Sequence, residues 1–264
     1  MKPNSAFKLA GDYALALSKI PSHVTSLSLR GNGLGRKGLM PLFHHLPNHI
    51  TTLDLSANDL CDVPHPDLIR AFTNIPCHLR TLILQANGLY LKNRKELSEF
   101  FYIIPYSVKQ LDLSWNGLGS CSLAKLIVSF KQLHNNVQTL ILQSNELGCL
   151  NNDSLMGLFS SLPSNLSHLD LSWNNLGNQS PEKLKKAFKA LQMELAFLNL
   201  SANDLHQLNG CELSQIFASM PKVGTLDLSG NSLFKKPATE LMIALKALPS
   251  SVNALCLGEN NLFF

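Results

Sequence analysis

The sequence predicts an α/β fold in which a short strand and a helix repeat about nine times and stack into a curved solenoid. A parallel β-sheet lines its concave face and helices form its convex face. Three observations predict this. The string L-x-L-x-x-N-x-L recurs with its asparagine at Asn32, Asn58, Asn87, Asn116, Asn145, Asn174, Asn203, Asn231 and Asn260, spaced 28 or 29 residues apart after a first gap of 26. A phenylalanine holds one phase in seven successive units, at Phe43, Phe72, Phe101, Phe130, Phe159, Phe188 and Phe217. Two nine-residue strings, LDLSWNGLG from Leu111 and LDLSWNNLG from Leu169, differ only at Gly117 versus Asn175 and lie 58 residues, two units, apart.

Each unit opens on a strand. ITTLDLSAN at 50–58 alternates apolar and polar residues with period 2, with Ile50, Leu53 and Leu55 pointing inward. The Asn that closes it stands where an apolar residue would be expected. A buried Asn has to satisfy both its donors and its acceptor. Stacked on its counterpart in each unit, it can bond loop backbone of its own and adjacent units, so the nine asparagines are expected to form a structural ladder.

A helix follows. Counting back from Pro47, Pro76, Pro105 or Pro163, or from His134 and Gln192 in the same slot, apolar residues stand eight, four and one positions earlier. In the second unit these are Leu68, Phe72 and Ile75, the stripe of an amphipathic helix. The Phe column is therefore expected to be a core spine. Ser180 and Pro181 are expected at an N-cap and a first helical position. Strands about 4.8 Å apart backed by helices roughly 8–10 Å apart force the stack to curve with the sheet inside.

The whole of 1–264 is expected to be one domain. Residues 5–21 match a helical half-unit, with Tyr13, Leu17 and Ile20 in the helix phase and Pro21 in the Pro slot, and are expected to cap the first strand. Residues 22–264 hold the nine units. The sequence stops just after the ninth Asn without a polar closing helix, so the C-terminus is expected to be uncapped and the native chain longer.

Composition narrows the function. With 264 residues and 45% hydrophobic content the chain can bury a core without disulfides or metal. A net charge of +4 spread along the chain does not indicate nucleic acid. No apolar run approaches the roughly 20 residues of a membrane span, and Asp12 and Lys19 spoil the N-terminus as a secretory signal. Six cysteines without a C-x-x-C are expected to be reduced structural thiols of an intracellular protein, Cys121 and Cys149 being the pair at similar phases of neighbouring units. His44, His45 and His49 cluster at a helix flank and loop, where a solvated surface outweighs a metal site. Sequons at Asn152, Asn165, Asn178 and Asn199 carry little weight in an Asn-rich repeat. No catalytic motif is present, so neither enzyme activity, cofactor nor metal is expected.

The nine L-x-L-x-x-N-x-L strings and the helical unit of 28–29 residues resemble leucine-rich repeats of the ribonuclease-inhibitor-like subclass, over residues 5–264. The resemblance implies a horseshoe that binds a protein on its concave side. It extends to leucine-rich-repeat effectors that intracellular bacteria inject into host cells, which implies a host-protein partner and translocation into the host cytoplasm. The alternative is a GTPase-activating or other enzyme-regulating protein built on the same repeat. A monomer is expected, with neither nucleic acid nor membrane as partner.

Candidate binding residues come from the outward columns. Between the two leucines run Ser28, Asp54, Ile83, Asp112, Ile141, Asp170, Asn199, Asp227 and Cys256. Asp54, Asp112, Asp170 and Asp227 make an acidic stripe that either attracts a basic partner or bonds neighbouring hydroxyls. Small residues dominate the column before the Asn, which ends on Glu259 and is broken by Trp115 and Trp173, the chain's two tryptophans. Either the pair travelled with a duplicated unit and packs on the next loop, or it is a hot spot. The resemblance favours the latter, since the subclass uses aromatics on this rim. With Ser144 between them, the rings are expected to flank a slot, while Gln143, His168 and Phe197 add polar and aromatic groups to the face.

Overall fold

A computed structural model describes residues 15–150 and 154–262. Its described residues hold nine strands: β1 (Ser26–Ser28), β2 (Thr52–Asp54), β3 (Thr81–Ile83), β4 (Gln110–Asp112), β5 (Thr139–Ile141), β6 (His168–Asp170), β7 (Leu195–Asn199), β8 (Val223–Asp227) and β9 (Ala254–Cys256). They form one parallel sheet in chain order, with the first consensus leucine of each unit in register with the next, from Leu27–Leu53 through Leu226–Leu255. Helices return the chain outside the sheet at His65–Phe72, Arg94–Tyr102, Leu123–Phe130, Ser154–Phe159, Pro181–Lys189, Gly210–Ala218 and Ala238–Lys246. The first unit uses two shorter pieces, Leu34–Lys37 and Met40–His44.

The asparagine ladder is present bond by bond. Asn145 Oδ1 accepts from the backbone N–H of Asn116 at 3.0 Å and of Leu118 at 3.2 Å, one unit earlier. Its Nδ2 donates to Leu113 O, Leu142 O and Gln143 O at 2.9, 3.0 and 3.3 Å. The same pattern runs through Asn58, Asn87, Asn116, Asn174, Asn203, Asn231 and Asn260, all buried. Each described Asn of the ladder from Asn32 to Asn260 sits between two residues with positive φ, as in Trp115 (φ 57) and Gly117 (φ 64) around Asn116. That double reversal aims the side chain back under the sheet.

Sequence periodicity did not reveal the 3₁₀ turn that follows each ladder Asn from Asn58 to Asn231, Leu60–Asp62 through Leu233–Lys235. In six of these seven turns a backbone N–H donates to the backbone carbonyl of the next unit's ladder Asn. Where the donor is Gly119, Gly148 or Gly177 the bond is 2.7–2.8 Å; where it is Cys61, Tyr90 or Phe234 it is 3.1–3.2 Å. A Cβ on Gly148 would stand 2.0 Å from Asn175 O, so glycine permits the closer approach.

The Phe spine is buried throughout, from Phe43 to Phe217, at 2% exposure or less. Phe43–Phe72, Phe101–Phe130 and Phe159–Phe188 meet edge to face at 5.5, 5.3 and 5.7 Å. The column is not uniform: Phe100, which the periodicity left out, meets Phe72 at 4.7 Å and stands beside Phe101. Leu68 and Ile75 are buried as expected. Ser180 and Pro181 hold the expected N-cap and first helical positions, but the Ser180 side chain makes no cap bond. Full capping boxes form instead at Asn93 with Glu96 and Asn209 with Glu212.

At the N-terminal end Leu17 and Ile20 pack against the core; Tyr13 lies outside the described residues. All six cysteines are free. The thiol of Cys121 is buried, and burial pushes its pKa up. Among the described residues no group of His, Cys, Asp and Glu could hold a metal ion, and no helix is long and apolar enough to cross a membrane.

Candidate functional site

The concave face is built by the outward residues of nine three- to five-residue strands, and the first column to consider is acidic. Asp54, Asp112, Asp170 and Asp227 alternate in register with Ile83, Ile141 and Asn199. Each carboxylate folds back on its own strand: Oδ1 accepts from the backbone N–H two residues on, at Ser56, Ser114, Ser172 and Ser229, over 2.8–2.9 Å. The hydroxyls of Ser56 and Ser114 add a second bond. The other oxygen of Asp54 accepts from Ser28 Oγ at 2.7 Å and that of Asp170 from Asn199 Nδ2 at 3.0 Å. Burial raises the Asp54 pKa, but the bonds from Ser56 and Ser28 and the charge of Arg30 outweigh it and leave the carboxyl lowered. The stripe thus holds strand ends and crosses between strands. All four carboxylates are half-buried and still face the open concavity.

The second column lies where strand becomes loop. Backbone N–H groups of Trp115, Ser144 and Trp173 donate at 3.0 Å to Gln143 O, Ser172 O and Ser201 O. The ladder of bonds between units therefore continues three residues beyond strands that end at Asp112, Ile141 and Asp170, placing the two tryptophans two units apart with Ser144 between. Two strand spacings put their backbones about 10 Å apart. Their exposures are 58% and 60%. Both occupy the left-handed region at φ 57, where Ala57, Ala86 and Ala202 and the glycines at 31 and 230 stand in other units. The architecture imposes that φ on every unit; a bulky residue in it costs about 1–2 kcal/mol. Rings that stay more than half exposed recover little of this through burial. Ser144 and Glu259 hold the same left-handed φ in their units, so the strain belongs to the turn, and what sets the two tryptophans apart is their exposed ring area.

Gln143, half-buried, borders the Trp column, and its carbonyl accepts from both Trp115 N and Asn145 Nδ2. His168 opens β6 and pairs in register with Phe197 in the middle of β7, their ring centroids 6.2 Å apart. They share the concave face, five residues before the Trp column in their units. Two residues missed by sequence reasoning do belong to the loop edge. Tyr90 and Leu91, 43% and 61% exposed, occupy the 3₁₀ turn of the third unit. The Tyr90 ring lies against Gly117, where a Cβ would come within 2.9 Å of it, two residues from Trp115. The available signal was Tyr90 in the slot that Gly119, Gly148 and Gly177 hold in the next three units.

The family described as Leucine Rich repeat matches residues 21–43 and 163–182. Among solved structures, the leucine-rich repeat-containing protein LegL7 from Legionella pneumophila superposes with a TM-score of 0.79 at 30% identity, over 94% of this chain and 78% of that one. The Rad7 and Elc1 complex of yeast matches at a TM-score of 0.53 and 17% identity, over 95% of this chain and 67% of that one, a likeness of fold. No curated protein sequence matches the chain.

Proposed function

Because the chain belongs to the leucine-rich-repeat family, a fold of protein-interaction modules, we propose that its concave face and loop edge hold one protein partner with Trp115 and Trp173 as the anchor. The carrying observation is the pair itself: two exposed tryptophans in left-handed positions, two units apart, flanking the small Ser144. A partner side chain inserted there loses water on two sides, the geometry of a hot spot. Gln143 and the remaining carboxylate oxygens of Asp112 and Asp227 offer acceptors beside or beyond the slot, which favours a partner carrying basic groups. Likeness over 94% of the chain to LegL7, a leucine-rich repeat-containing protein of Legionella pneumophila, motivates the finer part of the proposal, a bacterial effector acting on a host protein inside the host cytoplasm; a monomer is proposed with it.

The test compares the protein with its Trp115→Ala/Trp173→Ala variant as bait in eukaryotic lysate, with retained proteins identified by mass spectrometry. Ala fits the backbone, since Ala57, Ala86 and Ala202 already occupy this column. Expected is a partner held by the parent and lost by the variant, with binding weakened by about 2 kcal/mol or more and stability changed by under about 1 kcal/mol. Identical retention by both proteins, or a variant that unfolds with binding intact, makes the tryptophans packing residues and sinks the proposal.

A further inference from the structure

The sheet has a second edge, where helices end and strands begin. One column there, defined by successive backbone bonds, runs Thr51, Arg80, Lys109, Gln138 and Ser167. Its counterparts in the flanking units, two positions before the consensus leucine, are Thr25, Ala196, Gly224 and Asn253. Arg80 and Lys109 are thus the column's two charged residues, and they are neighbours: Lys109 N donates to Arg80 O at 2.8 Å. Like charges side by side on adjacent strands destabilise a sheet. Neither side chain makes an ion pair with any described residue.

These two cations border a groove of about 570 Å³ whose apolar lining includes Phe72, Ile75, Ile103 and Tyr106. It opens because Cys77 is small where Tyr106, 67% exposed, stands in the next unit. The surrounding helix-to-strand segments, 44–51, 73–81, 102–110 and 131–139, contain no Asp or Glu. They do contain Lys131 and five of the nine histidines, His44, His45, His49, His78 and His134. Further along the same edge Glu194 is paired with Lys222 at 2.5 Å. The charged side chains of these segments are therefore all basic, and the apolar floor is a few side chains long.

We propose that this groove docks an extended acidic peptide segment, one apolar side chain on the floor between Ile75 and Ile103 and flanking carboxylates on Arg80 and Lys109. A guanidinium takes a carboxylate bidentately, and the two cations stand about 4.8 Å apart in backbone spacing, within reach of adjacent acidic residues. A concave, apolar-floored site flanked by two cations fits a chain better than a flat anionic membrane. The site is separate from the Trp edge, at the other end of the strands, so its test is independent of the concave-face proposal.

The probe is a fluorescein-labelled peptide of Asp and Glu around a central Leu, measured by anisotropy against the whole protein. Three comparison probes are the same peptide with Lys for its acids, an all-acidic peptide lacking Leu, and phosphatidylcholine vesicles containing phosphatidylserine. Expected is binding of the acidic Leu peptide alone, weakened about tenfold or more by Arg80→Glu/Lys109→Glu, weakened also by Tyr106→Ala, and unchanged by Trp115→Ala/Trp173→Ala. Circular dichroism checks that the variants fold; Arg80→Gln/Lys109→Gln serves if charge reversal does not. Equal binding of the Lys peptide, vesicle binding without peptide binding, or an unaltered affinity in a folded charge variant would overturn the proposal.

Discussion

Replacing Asn145 by Ala isolates what the asparagine ladder contributes. Asn145 is fully buried, and its Oδ1 is the side-chain acceptor for two backbone N–H groups, those of Asn116 and Leu118. Its donor side is redundant: Leu113 O also receives Asn116 Nδ2, and Leu142 O also receives Asn174 Nδ2. Gln143 O likewise keeps its bond from Trp115 N, so truncation orphans two buried donors and merely thins three acceptors. At about 1–3 kcal/mol for each unsatisfied buried group, the expected loss is about 4 kcal/mol. Asn32 supplies the internal control. It is exposed, donates only to Leu29 O and Arg30 O among the described residues, and accepts no backbone bond from them. Asn32→Ala should cost less than about 1 kcal/mol. Guanidinium unfolding followed by circular dichroism gives the two losses, and amide exchange at Asn116 and Leu118 shows whether the defect is local. Repeat arrays can lose cooperativity, which makes the exchange rates the sharper readout. If Asn145→Ala is no worse than Asn32→Ala, or the two amides keep their protection, the ladder is not what holds the loops.

Other expectations follow from the same geometry. Phe130→Ala should cost about 3–5 kcal/mol in denaturant melts, because the ring is 1% exposed and meets Phe101 at 5.3 Å; a loss under about 1 kcal/mol would contradict a spine. Gly148→Ala should destabilise by about 1–3 kcal/mol, since the added Cβ lands 2.0 Å from Asn175 O, and a neutral result would show that the loops separate freely. The Asp54 carboxyl should titrate below the ordinary aspartate value by NMR, and Ser56→Ala should move it upward by removing the Ser56 hydroxyl bond. A lowered folded pKa means that stability from this group is complete above about pH 4 and is lost as pH falls through the folded value. The parent's advantage over Asp54→Asn should therefore shrink on acidification, and an advantage growing towards low pH would reverse the assignment.

The solenoid was legible in the sequence because its determinants are local and repeated. A period of 28 or 29 residues, an alternating strand and an apolar helical stripe each need only spacing to be read, and the nine-strand register follows from stacking like on like. The ladder was legible for the same reason: polar residues in a phase that is buried in eight of nine units have to find partners, and the neighbouring unit provides them at a fixed distance. Tertiary structure decided what depends on side-chain volume and direction across units. It put Phe100 against Phe72, bent the acidic stripe onto its own serines, and set Trp115 and Trp173 at φ 57 with their rings open to solvent. It also brought Arg80 and Lys109 together over a groove whose walls come from units 29 residues apart. Periodicity states which residues share a column. Which members of a column meet, and which are left facing water, is set by how each unit fills the space its neighbours leave.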